Sequence, residues 1–138
     1  MIAIISDIHS NKEALDAVIL DIKKYDVDKI YCLGDLVGYG ADPEYVINQS
    51  KSIFTYTLKG NHDFAVAEND TSNLRFFAEY SIQWTRLKLK PYLDIYDYFN
   101  YLKSLPYSHI SQNIFFNNSN FITPEIFEKE IAPARTFC

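Results

Sequence analysis

Asp7, His9, Asp35, Asn61 and His62 put two carboxylates, two imidazoles and an amide into the first half of the chain. Such donors together suit borderline divalent ions such as Mn, Fe or Zn. Asp7 and His9 are two residues apart. That spacing puts both side chains on one side of an extended segment, and just past a strand end both can grip one ion. Asp35 offers two oxygens and can bridge two ions. Paired ions about 3.5–4 Å apart clamp the attacking and leaving oxygens of a phosphate ester, and they make hydroxide available near neutral pH.

These donors cooperate only if three separate stretches of chain meet, and the hydrophobic pattern brings them together. Met1–Ser6 is an apolar run of buried-strand type that ends at Asp7-Ile8-His9. Ser10 and Glu13 have capping-box spacing and predict a helix start, followed by Leu15, Val18, Ile19 and Ile22 at helical spacing. Lys29–Leu33 is a second strand-like run, ending at Gly34-Asp35. Asp42-Pro43 reads as N-cap and first residue of a second helix through Val46 and Ile47. Phe54–Lys59 is a third strand, ending at Gly60-Asn61-His62-Asp63. The βαβαβ order predicts an α/β fold with a parallel sheet, and chemistry in such sheets sits outside the carboxyl ends of the strands. All three polar loops therefore fall on one edge.

The second half reads differently. Thr71–Leu89 is predicted as a long helix broken by Pro91, and Tyr92–Leu105 as another, closed by Pro106. Ser108–Ile110 and Asn113–Phe116 read as a short hairpin around Ser111-Gln112. Thr123-Pro124 can open a last short helix. No repeat or linker divides the 138 residues, so one domain over 1–138 is expected.

Composition narrows the function classes. At 48% hydrophobic and 22% charged residues the chain is globular rather than disordered. A net charge of −5 with no Lys/Arg block argues against a nucleic-acid face. An acidic protein still engages phosphate when cations lie between them. Cys32 sits in an apolar run and reads as a core residue, while Cys138, the last residue, is expected to be exposed. The opening apolar run is too short for a signal peptide and no segment reaches a membrane span, so a cytoplasmic location is expected.

Asp7-Ile8-His9, Gly34-Asp35 and Gly60-Asn61-His62-Asp63, each after a strand, resemble the D-x-H, G-D and G-N-H-D motifs of the calcineurin-like metallophosphoesterase superfamily. The run Gly34-Asp35-Leu36-Val37-Gly38-Tyr39-Gly40, with Trp84-Thr85-Arg86, is similar to its small bacterial branch of phosphatases and phosphodiesterases. The resemblance implies the start of an αββα sandwich and hydrolysis of a phosphate mono- or diester by a metal-activated hydroxide at a dinuclear site. It implies two divalent ions (Mn, Fe, Zn, Ni or Mg) and a phosphate ester or nucleotide-like substrate. Carried over by position, Asp7 and His9 bind the first ion, Asp35 bridges and Asn61 binds the second. His62 faces the substrate, and Asp63 orients His62 by a hydrogen bond that raises its pKa.

Two family features are missing. A histidine is expected near Phe115–Ser119, where this chain has Asn117, and no G-H-x-H motif follows. The pattern then predicts a weak second ion, a sheet face lacking cover, and pairing with a second copy or a complementing chain. It also supports a second reading: an inactive remnant, or half of a split enzyme serving as an interaction module. Weaker features have plainer readings. His109 reads as an ordinary exposed or half-buried residue, Asn117 as a polar strand-end residue, Gly38 and Gly40 as turn glycines, and the tyrosines of 92–101 as packing.

Overall fold

The computed structural model describes residues 1–72, 74–90, 95–111 and 114–118. Three parallel strands form its centre: β1 (Ile2–Ile5), β2 (Lys29–Cys32) and β3 (Tyr56–Thr57), in the order β1-β2-β3. Ile5 pairs with Cys32, and Cys32 with Thr57, so the three strands end level. Helices α1 (Lys12–Ile22) and α2 (Pro43–Ile53) make the two crossovers. Then come α3 (Asn61–Glu68), α4 (Phe76–Leu89) and α5 (Ile95–Ser104), and an antiparallel hairpin of β4 (Ser108–Ser111) and β5 (Ile114–Asn117). The expected βαβαβ frame, later helices and hairpin are all present. The turn at Gln112, Pro91, the Thr123-Pro124 start and Cys138 lie outside the described residues.

Alternation along β2 sends neighbouring side chains to opposite faces of the sheet. Cys32 joins the larger core with Leu15, Leu36, Val37, Ile47, Val66, Ile82 and Leu102. Tyr31 joins a smaller one with Leu58 and Phe116. The face expected to lack cover is thus partly covered, by the hairpin. His109 stacks on Tyr56 with ring centroids 3.5 Å apart, and Phe116 meets Tyr31 edge-on at 5.2 Å. The cover thins over β1: Ile2 packs against this smaller core, but Ile4, the register partner of Tyr31, remains 54% exposed.

Several boundaries differ from expectation, each for a physical reason. Helix α1 is capped by Asn11, whose side chain accepts from Ala14 N at 2.9 Å, not by Ser10. Ser10 has φ +56° and its backbone is committed elsewhere: its N donates to Leu36 O, and its O accepts from Asp42 N. The third strand shrinks to Tyr56–Thr57: Phe54 closes α2, and although Leu58 N still donates to Cys32 O at 2.8 Å, Lys59 turns away from β2, its N donating to Pro106 O at 2.7 Å. Helix α3 has no counterpart in the expected elements, and α4 begins at Phe76 rather than Thr71. Asp42-Pro43 does open α2, although the Asp42 side chain makes no cap bond. No described helix is long and apolar enough to cross a membrane.

Candidate metal centre

The level strand ends bring the three polar loops together. Asp7 N donates to Gly34 O (3.1 Å) and His9 N to Asp35 O (2.9 Å), lashing the first loop to the second. His62 N donates to Asp35 Oδ1 at 2.9 Å, lashing the third to the second. Among the described residues, Asp7, His9 and Asp35 each offer one ligand atom within 4.8 Å of the others. His9 Nε2 stands 3.8 Å from Asp7 Oδ1. Two atoms bound about 2.1 Å from one ion are separated by about 3–4 Å, so this spacing suits a shared cation. His9 Nδ1 lies 3.0 Å from Val37 O and donates to it, which leaves Nε2 as the lone-pair atom facing the carboxylates.

Backbone strain gathers at the same place. Positive φ occurs at Asp7, His9, Ser10, Asp35 and Tyr39, all in these loops, and elsewhere among the described non-glycine residues only at Asn69. Such conformations each cost of order 1 kcal/mol or more and persist only where surrounding contacts enforce them. Gly60 allows the closest approach. A Cβ there would collide with Asp35 Oδ1 and Asp35 N.

The Asp63 carboxylate makes no hydrogen bond to the His62 side chain here. The carboxylate is fully buried and accepts four backbone N–H groups: Oδ2 from Asp35 (2.9 Å) and Gly60 (2.9 Å), Oδ1 from Leu36 (2.9 Å) and Val37 (3.2 Å). It is the third residue of α3, so its acceptors satisfy one free amide of that helix and three of the Asp35 loop. Burial pushes the Asp63 carboxyl up to about 7, reinforced by the Asp35 charge, and the amides pull against that rise. Asp63 therefore holds the loop that holds Asp35.

His62 is 5% exposed, and its Nδ1 has no hydrogen-bond partner among the described residues. The expected rise in its pKa is reversed. Burial above all pushes His62 down to about 4, against a smaller upward pull from Asp7. Its ring lies 4.7 Å from the His9 ring and 4.7 Å from the Tyr39 ring. Asp35 is also raised, chiefly by burial, with the His62 backbone N–H opposing.

Asn61 opens α3 beside His62. Asn117 ends β5 with both side-chain amide atoms buried and without hydrogen-bond partners among the described residues. Its neighbour Asn118, which drew no attention in the sequence, donates to Leu33 O at 2.9 Å and also hydrogen-bonds Asp35. Tyr39 and the Val37 carbonyl were equally illegible. Only the proximity of Gly38-Tyr39-Gly40 to the G-D motif could have signalled them.

A family model described as calcineurin-like phosphoesterase matches residues 1–132. An uncharacterised protein of Methanocaldococcus jannaschii is 40% identical over an alignment of 136 residues that covers 93% of this chain and 53% of that protein. The crystal structure of a metallophosphoesterase from Sphaerobacter thermophilus superposes with a TM-score of 0.66 at 33% identity, over 83% of this chain and 44% of that one. A protein provisionally assigned as a diadenosine tetraphosphatase shares the fold at 23% identity and a TM-score of 0.63, over 84% of this chain and 48% of its own. The chain thus spans about half the length of the relatives it matches.

Proposed function

The chain belongs to the calcineurin-like phosphoesterase family, and from that premise we propose that it takes part in divalent-metal-dependent hydrolysis of a phosphate mono- or diester. The observation that carries the reading is the cluster of Asp7, His9 and Asp35 at one sheet edge. Two carboxylates and an imidazole with its far nitrogen already committed fit a borderline divalent ion. Asp7, His9 and Asp35 would hold the first ion, and Asp35 with Asn61 the second. Manganese is the first ion to test. When bound, such ions supply Lewis acidity toward phosphoryl oxygens and hydroxide near neutral pH.

The chain's own residues do the rest. His62, neutral because its pKa is pushed down to about 4, offers an N–H to a phosphoryl oxygen or a base to a proton. Asp63 keeps the 35–37 loop in register, so its part in the reaction is positional. The substrate would be a phosphate ester or a nucleotide-like small molecule.

A second reading has its own observation. Among the described residues the only such His, Cys, Asp and Glu cluster has three members, and the relatives run to about twice the matched length. In that reading the chain binds one ion and does not turn over alone, and a second copy or a complementing chain supplies what is missing. Hydrolysis of bis-p-nitrophenyl phosphate by the purified chain in Mn²⁺, abolished by EDTA and restored by added metal, supports the first reading. Metal binding without turnover supports the second.

A further inference from the structure

Tyr39 is the exposed aromatic residue at this site, and its position is an enforced one. Gly40 N donates to Gly38 O at 2.8 Å and to His9 O at 2.9 Å, and Tyr39 between them has φ +60°. An i→i+2 bond around a positive φ is a γ turn of the strained hand, uncommon for any residue and unfavourable for a bulky one. The loop is pressed onto the histidines: a Cβ on Gly38 would collide with His62 Nδ1. The strain holds the Tyr39 ring edge-on to His9 at 4.9 Å and tilted against His62 at 4.7 Å. Tyr39 nonetheless stays 58% exposed. Packing alone does not call for a large aromatic side chain that is strained in its backbone and left mostly in solvent.

We propose that Tyr39 is a specificity-determining residue whose open ring surface stacks on a planar aromatic group of the phosphate ester. This rests on the phosphoesterase reading of the site. Two contacts, with His9 and His62, restrain the ring, so little side-chain freedom is lost when a ligand ring meets its exposed surface. The chain is acidic overall, with a net charge of −5, so an uncharged stacking surface can add affinity where the surrounding field does not favour an anion. The planar group can be an aryl directly on phosphorus or a nucleobase further out, and both offer the same π face.

Non-hydrolysable and product-like ligands separate these cases without requiring turnover. Calorimetry in saturating Mn²⁺ would compare phenylphosphonate with methylphosphonate, and 5′-AMP with ribose 5-phosphate. Three chains would be used: the natural one, Tyr39→Phe, and Tyr39→Asn, which removes the ring with a residue that tolerates positive φ. The natural chain should bind at least one aromatic ligand roughly tenfold tighter than its partner, the scale of one base–aromatic stack. Tyr39→Phe should keep that preference and Tyr39→Asn lose it, with methylphosphonate and ribose 5-phosphate affinities unchanged. A preference in the first pair alone identifies the aryl ester, and in the second pair the nucleobase. Equal binding within both pairs, or a preference that survives Tyr39→Asn, overturns the assignment while leaving the phosphoester site intact. Failure of all four ligands to bind the natural chain overturns both.

Discussion

Replacing Asp63 with Asn distinguishes a loop-holding carboxylate from one that acts through His62. The side chain accepts four buried N–H groups, two on each oxygen. An asparagine keeps one acceptor oxygen and turns an NH₂ toward the other two amides. Two buried donors then lose their acceptor, at about 1–3 kcal/mol each, while removing a buried charge offsets part of the loss. The net cost is about 3 kcal/mol. For a chain of 138 residues that corresponds to a fall of about 10 °C in Tm. The decisive assay is a double-mutant cycle read by thermal unfolding in EDTA. If Asp63 acts on the loop, its substitution costs the same in a His62→Ala background as in the natural chain. A coupling energy above about 1 kcal/mol, or a Tm within about 2 °C of the natural chain, would show that Asp63 does not hold the loop.

Three further outcomes are expected. Gly60→Ala drives a methyl into Asp35 Oδ1 and the Asp35 backbone, so it should cost about 1–3 kcal/mol in urea unfolding and weaken metal binding as well. Arg86 donates to Val66 O near the end of α3 and lies 4.8 Å from the Phe99 ring. Arg86→Ala should therefore lower stability by about 1–3 kcal/mol while leaving Mn²⁺ affinity unchanged, both measurable on one preparation. Burial pushes the Cys32 thiol up to about 12. At pH 8 only about one molecule in ten thousand carries its thiolate, so peptide mapping after iodoacetamide should find Cys32 labelled only when denaturant is added.

The part of the fold written in local pattern was legible. Apolar runs separated by helical spacing located β1, β2, α1 and α2, and polar strand ends located Asp7, His9 and Asp35. What escaped was set by long-range contacts. The motif Gly60-Asn61-His62-Asp63 read as a loop after a strand, yet it is the first turn of α3, because Asp63 finds its partners 26–28 residues back in the chain. For the same reason the expected Asp63–His62 bond is absent: adjacent residues suggested a pair, while the buried amides of another loop claimed the carboxylate. Ser10 looked like a helix cap by spacing, but its φ of +56° and its ties to Leu36 and Asp42 make it part of the site loop. Tyr39 carried no motif chemistry of its own, and its meaning lies in a turn and two ring contacts that no periodicity encodes.

The metal centre is tested most directly by a calorimetric Mn²⁺ titration of the natural chain beside Asp35→Asn and His109→Ala. His109 stacks on Tyr56 away from the Asp7–His9–Asp35 group, so its loss should leave the isotherm unchanged, while Asp35→Asn should weaken binding at least tenfold. Equal effects of the two substitutions, or no Mn²⁺ binding by the natural chain, would contradict the metal centre.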